Sequence, residues 1–80
     1  MALAAVTLKE IERIFEILDR LGISREAVVI PLRPARRGSA RILPNGKLEI
    51  LVEGERSLDE WLPELEVTIR TLLGIEDGPN

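Results

Sequence analysis

The stretch SARILPNGKLEILV, residues 39–52, decides how this chain folds. Pro44 suits the second position of a type I turn, Asn45 the third, and Gly46 the left-handed residue of a following bulge. That three-residue loop sets Leu43 against Lys47, Ile42 against Leu48, Arg41 against Glu49 and Ala40 against Ile50. The register places Ala40, Ile42, Leu48, Ile50 and Val52 on one face and lets Arg41 meet Glu49 across the other. A two-residue Asn-Gly turn would oppose Ile42 to Glu49, so the bulged hairpin is the better reading.

Upstream, REAVVIPLR (25–33) carries the continuous β-branched run Val28, Val29, Ile30. Pro31 cannot donate to a ladder, which makes this an edge strand or turns the Pro31 nitrogen to an unpaired side. Further back, TLKE (7–10) is a capping box, and Val6 and Ile11 have the spacing of a hydrophobic staple. The apolar residues Leu8, Ile11, Ile14, Phe15, Ile17, Leu18 and Leu21 then predict a helix over 8–21, ended by Gly22. They cover about half the helix circumference, more than one partner needs. Glu16 and Arg20 stand four apart on the polar side.

Downstream, SLDE (57–60) is a second capping box. Pro63 predicts a first turn at 58–61, a kink, and a helix proper over 63–73. Leu58, Trp61, Leu62, Leu65, Ile69, Leu72 and Leu73 share one arc, and Gly74 ends the element. The expected architecture is α+β: helix, three-stranded antiparallel β-meander, helix (αβββα), both helices on one sheet face. It forms a single domain over 1–80, with its core at 7–74 and a tail at 75–80 that has no reason to fold.

The order across residues 8–73 is similar to that of double-stranded-RNA-binding domains. The start of the second helix reads SLDEW where those domains carry a lysine cluster, and their hairpin-loop histidine motif is absent. The resemblance therefore implies a fold and no function.

An 80-residue chain buries only about 60% of its unfolded surface, so its core is marginal. With no cysteine and no histidine, disulfides and structural zinc are excluded, which leaves oligomerisation as the usual support. Abundant Glu and Arg, no Gln and two Asn give a thermophile-like profile, although a GC-rich genome produces a similar bias. MALAAV at the start lacks the basic opening and cleavage pattern of a signal peptide, and no apolar run approaches the roughly 20 residues of a membrane span. A cytoplasmic protein without membrane attachment is expected.

Chemistry has few places to reside. The hydroxyls Ser24, Ser39, Ser57, Thr7, Thr68 and Thr71 have no histidine to activate them. Glu49, Glu53, Glu55, Asp59, Glu60, Glu64 and Glu66 are dense enough to consider a divalent cation or an acid and base pair. Capping and Glu66 to Arg70 pairing explain several of them more simply, and no Asp-x-Asp-Gly loop is present. The expectation is no catalytic activity, no metal and no cofactor.

RPARRGSAR (33–41) is the unusual segment. From Arg33 to Leu48 there are five positive charges and no negative one, leaving the other 64 residues at net −8 against a total of −3. Five phosphate contacts would give a salt slope of about −4.5. The negative overall charge opposes this, as does the confinement of the two aromatics, Phe15 and Trp61, to apolar helix arcs. Arg41 is assigned to Glu49, so Arg33, Arg36, Arg37 and Lys47 remain as candidate contacts for an acidic protein partner or a nucleic acid. On the sheet face away from the helices, Ala27, Val29, Leu43 and Leu51 form a candidate dimer interface. The functional expectation is a binding or scaffolding module, homodimeric through that face or a strand edge; the alternative is an RNA- or DNA-binding accessory protein using the 33–41 loop.

Overall fold

The fold is taken from a computed structural model, which describes residues 5–75; most of the expected tail and the start of MALAAV lie outside them. The described elements are α1 (Leu8–Arg20), a 3-10 turn (Arg25–Ala27), β1 (Val28–Val29), β2 (Ser39–Ile42), β3 (Leu48–Leu51) and α2 (Leu58–Leu73). The class is α+β, as expected.

The sheet departs from the expected antiparallel meander. Its order is β1-β3-β2, with β2 antiparallel to β3 and β1 parallel to it in the register Val28 with Leu48 and Val29 with Glu49. The reason is apolar content. Leu48 and Ile50, with Val52 just beyond the strand, are buried to 3%, 0% and 1% exposure, whereas Ser39, Arg41 and Ile42 of β2 are exposed. The strand with the most to bury takes the centre. A parallel neighbour needs a crossover rather than a turn. The nine residues 30–38, interrupted by Pro31 and Pro34, begin it by passing the C-terminal end of β3. β1 is indeed an edge, and it stops two residues before Pro31.

The hairpin follows its sequence reading pair for pair. Ser39, Ala40, Arg41 and Ile42 face Leu51, Ile50, Glu49 and Leu48. The Leu43 amide donates to the Lys47 carbonyl at 2.8 Å, the Gly46 amide to the Leu43 carbonyl at 2.8 Å, and Gly46 has φ +87°.

The first capping box forms in full, while at Ser57 the cap forms but the Glu60 carboxylate meets the Ser57 hydroxyl rather than its amide. The Thr7 hydroxyl accepts from the Glu10 amide at 3.2 Å while the Glu10 carboxylate accepts from the Thr7 amide at 2.8 Å. Ser57 accepts from the Glu60 amide at 3.2 Å. α2 is one continuous helix across Pro63 rather than a turn followed by a separate helix. Trp61, Leu62 and Leu65, buried on both sides of the proline, hold the axis, and only the Asp59 carbonyl, on an exposed residue, loses its donor. Arg20 reaches across to Glu66 at 3.1 Å rather than along its own helix to Glu16.

One apolar cluster joins Ile14, Ile17 and Leu18 of α1, Trp61, Leu62, Leu65 and Ile69 of α2, and Leu48, Ile50 and Val52. Both helices therefore cover the β3 face that carries those three residues. Each such side chain contributes about 1.5–3 kcal/mol by leaving water. The apolar arcs are not buried to their ends: Leu8 is 72% exposed, and Leu72 and Leu73 are 40% and 42% exposed. A 16-residue helix is about 24 Å long and a four-residue strand about 13 Å, so the last turn of α2 overhangs the sheet. No helix among the described residues is long and apolar enough to cross a membrane.

Candidate functional site

The arginine-rich segment is a strap around the end of β3, and a single buried carboxylate organises it. After β1 the chain is fastened first where the Val6 amide donates to the Leu32 carbonyl at 2.8 Å. Next, Ala35 forms a parallel bridge to Glu53 and donates its amide to the Val52 carbonyl at 2.9 Å. The third fastening is the Gly38 amide, which donates to Glu53 Oε1 at 2.9 Å.

Glu53 is the one charged residue among the described residues that is buried, at 4% exposure. Burial of a lone carboxylate is costly unless its lone pairs are met. Here they are: Oε2 accepts from the amides of Glu55 and Arg56, each at 3.1 Å, and the Arg56 guanidinium stands 3.5 Å from Oε1. The Gly38 amide is the main influence holding the Glu53 carboxyl below its ordinary range; burial works against it, and the Arg56 and Glu55 amides and the Arg56 charge add to it. Arg56 in turn binds Glu64 through two contacts of 2.6 and 2.8 Å. Those contacts raise the guanidinium and lower the Glu64 carboxyl relative to their ordinary values.

Gly38 is required by proximity. A Cβ built on it would fall into the Trp61 indole, so the strap lies flat on the first turns of α2. Arg37, Gly38, Glu53, Glu55, Arg56 and Glu64 line a shallow cavity there of about 390 Å³.

On this fastened backbone Arg33, Arg36 and Arg37 are exposed. None of the three has an ion pair with a described residue, whereas Arg13, Arg20, Arg25, Arg41, Arg56 and Arg70 each have at least one. Arg37 does feel Glu64 at longer range. Lys47 is exposed too, but it lies at the turn end of the β2–β3 ladder, about 13 Å of strand from the strap. The fold thus presents the three arginines along the strap and leaves Lys47 apart. Arg41 pairs with Glu49 at 2.7 Å, as its register required.

The proposed interface residues divide similarly. Val29 and Leu51, beside Glu49 and Ser39 in the ladders, are half-buried on the open sheet face, and Leu43 continues that side two residues beyond Arg41. Ala27 is exposed in the 3-10 turn just before β1.

Away from the strap cavity the acidic residues are engaged separately. Asp59 pairs with Arg13, Glu66 with Arg20 and Arg70, and Glu60 accepts from the Ser57 hydroxyl. No three acidic side chains among the described residues are grouped as a metal ion would need. Sequence reasoning did not single out Glu53, Gly38 or Arg56. The available signal was local: Glu53-Gly54-Glu55-Arg56 lets an acidic side chain accept from amides two and three residues on, the pattern of a side chain closing its own turn.

No family model, curated protein sequence or solved structure matches this chain.

Proposed function

We propose that this protein is a small, non-catalytic binding or scaffolding module of the cytoplasm that works as a homodimer, joined through the open face or a strand edge of its sheet. The observation that carries this reading is the one-sided sheet: both helices cover one face, while the other presents Val29, Leu43 and Leu51 around the Arg41–Glu49 pair. A chain this small gains most from covering such a face with a second copy, since its own core is limited. Arg41 and Glu49, already paired with each other, are the polar centre of that contact, and Lys47 lies at its turn end.

Light scattering over a concentration series tests it. The expected mass is twice that of the chain at micromolar concentration, and Leu51→Arg returns a dimer joined through the sheet face to the monomer; a monomer mass for the wild type at every concentration overturns the reading. A second reading, a phosphate backbone bound by the strap, is favoured by the exposure of Arg33, Arg36 and Arg37. Fluorescence anisotropy of labelled RNA and DNA at about 50 mM salt, where such contacts are strongest, tests that.

A further inference from the structure

We propose that the outer edge of β2, together with Arg36 and Arg37 immediately before it, docks an extended acidic peptide of a partner protein as an added strand. The inference deepens the binding-module reading and does not depend on self-association.

The two edges of the sheet differ. β1 is two residues long and is followed by Pro31, so it offers almost nothing to pair with. β2 is four residues long, regular and proline-free. The Leu43 amide bonds inward to Lys47, and alternation along an antiparallel strand then turns Arg41 and Ser39 toward β3. The amides and carbonyls of Ala40 and Ile42 therefore point outward, with no strand among the described residues beyond them. Ile42 adds a 41%-exposed apolar side chain to this edge. A proline-free strand whose outward backbone groups meet no further strand among the described residues, with an apolar side chain beside them, is the arrangement that strand addition uses.

Charge selects the partner. Arg36 and Arg37 sit at the bend that leads into β2. Gly38, held by Glu53 and pressed on Trp61, fixes the chain behind them. An antiparallel peptide on β2 would set an apolar residue beside Ile42 and then carry its following residues past the two arginines. Carboxylates there would receive the ion pairs that these arginines do not make with any described residue.

A nucleic acid fits less well. Arg41 is already engaged by Glu49 and Lys47 lies at the far end of the ladder. Trp61 is 2% exposed, and Phe15 is half-buried beneath the Arg25 guanidinium at 4.6 Å, so neither offers a stacking platform.

The test uses a fluorescent peptide of about ten residues, Val/Thr-alternating and ending in four glutamates, a glutamine-ended control, and labelled single-stranded RNA and duplex DNA, all by anisotropy against the full chain. The glutamate peptide is expected to bind, and to weaken severalfold as salt rises from about 50 to about 200 mM. The glutamine control and the Arg36→Glu, Arg37→Glu double variant are each expected to lose about tenfold. In the wild type, amide exchange at Ala40 and Ile42 should slow at saturating peptide, a readout that needs no variant to fold. No binding of the glutamate peptide, binding indifferent to the charge reversal, unchanged exchange at Ala40 and Ile42, or RNA binding tighter than peptide each overturns the proposal. Running the titration on Leu51→Arg separates the two readings: peptide binding by a monomer leaves this one standing if the dimer fails, and a wild-type dimer that ignores the peptide does the reverse.

Discussion

The two ends of β3 are closed by different physics. At its start, the Pro44-Asn45-Gly46 turn joins it to β2 by backbone hydrogen bonds between residues three and four apart, in the open, with one glycine in a left-handed conformation. At its end, the Glu53 side chain joins three amides, one of them fifteen residues away in sequence, in a buried setting. The first closure uses chain geometry that solvent could otherwise satisfy. The second uses a charge that solvent can no longer reach, so its failure should be the costlier of the two.

Glu53→Ala is the largest break. It leaves the amides of Gly38, Glu55 and Arg56, all in partly buried hydrogen bonds, without their acceptor, and three unmet donors place the loss at about 3 kcal/mol in urea unfolding. Glu53→Gln keeps one carbonyl acceptor and should lose about half as much. The same pair reads out pH. Because the folded protein holds the Glu53 carboxyl below its ordinary 4.5, its contribution is fully present above that value and is lost as pH falls through the folded-state pKa. The wild type should therefore lose stability below pH 4.5 more steeply than Glu53→Gln, and the gap between them should narrow with acid. A gap that stays constant from neutral pH to strong acid would show that the carboxylate charge contributes nothing.

Gly38→Ala comes next, because it attacks the same closure from its other partner. The new methyl must displace the Trp61 ring, and overpacking of this kind costs about 1–3 kcal/mol. Combining it with Trp61→Leu, which removes the obstructing ring, should give a double variant less damaged than the sum of the two single ones. Strict additivity in thermal or urea unfolding would mean that the strap does not lie on α2 as described.

The difference between the two closures also explains what could be read from the residues alone. The turn, its register and the Arg41–Glu49 pair were legible because each involves neighbours whose spacing is fixed by a period of two and a turn of known type. The helices were legible from caps and apolar arcs. The place of β1 was not, because a run of Val28, Val29 and Ile30 states that it is a strand and says nothing about which strand it joins. Deciding that required knowing that β3 is buried on its helix side and that residues 30–38 cross its end instead of turning back. The candidate site was half legible: the unpaired arginines stood out by charge, but the glutamate that fastens them looked like one of seven acids. Its partner Gly38 carries no local signature, since a glycine demanded by a distant indole reads like any loop glycine.

The smallest effect belongs to the turn, and it sharpens the comparison because a real cost is expected there as well. Gly46 adopts φ +87° with open space around its missing Cβ, so Gly46→Ala meets backbone strain and nothing else. The expected loss is about 1 kcal/mol, read as a lower urea midpoint with unchanged slope. Its amide bond to Leu43 and the Leu43–Lys47 pair survive such strain, so exchange at the strap, in particular at the Gly38 amide, should stay as slow relative to global unfolding as in the wild type. Glu53→Ala should do the opposite, freeing the Gly38 amide well beyond what its global loss accounts for. If Gly46→Ala instead loosens Gly38 to the same degree, the two ends of β3 are one cooperative closure, and the strap draws its rigidity from the hairpin rather than from Glu53.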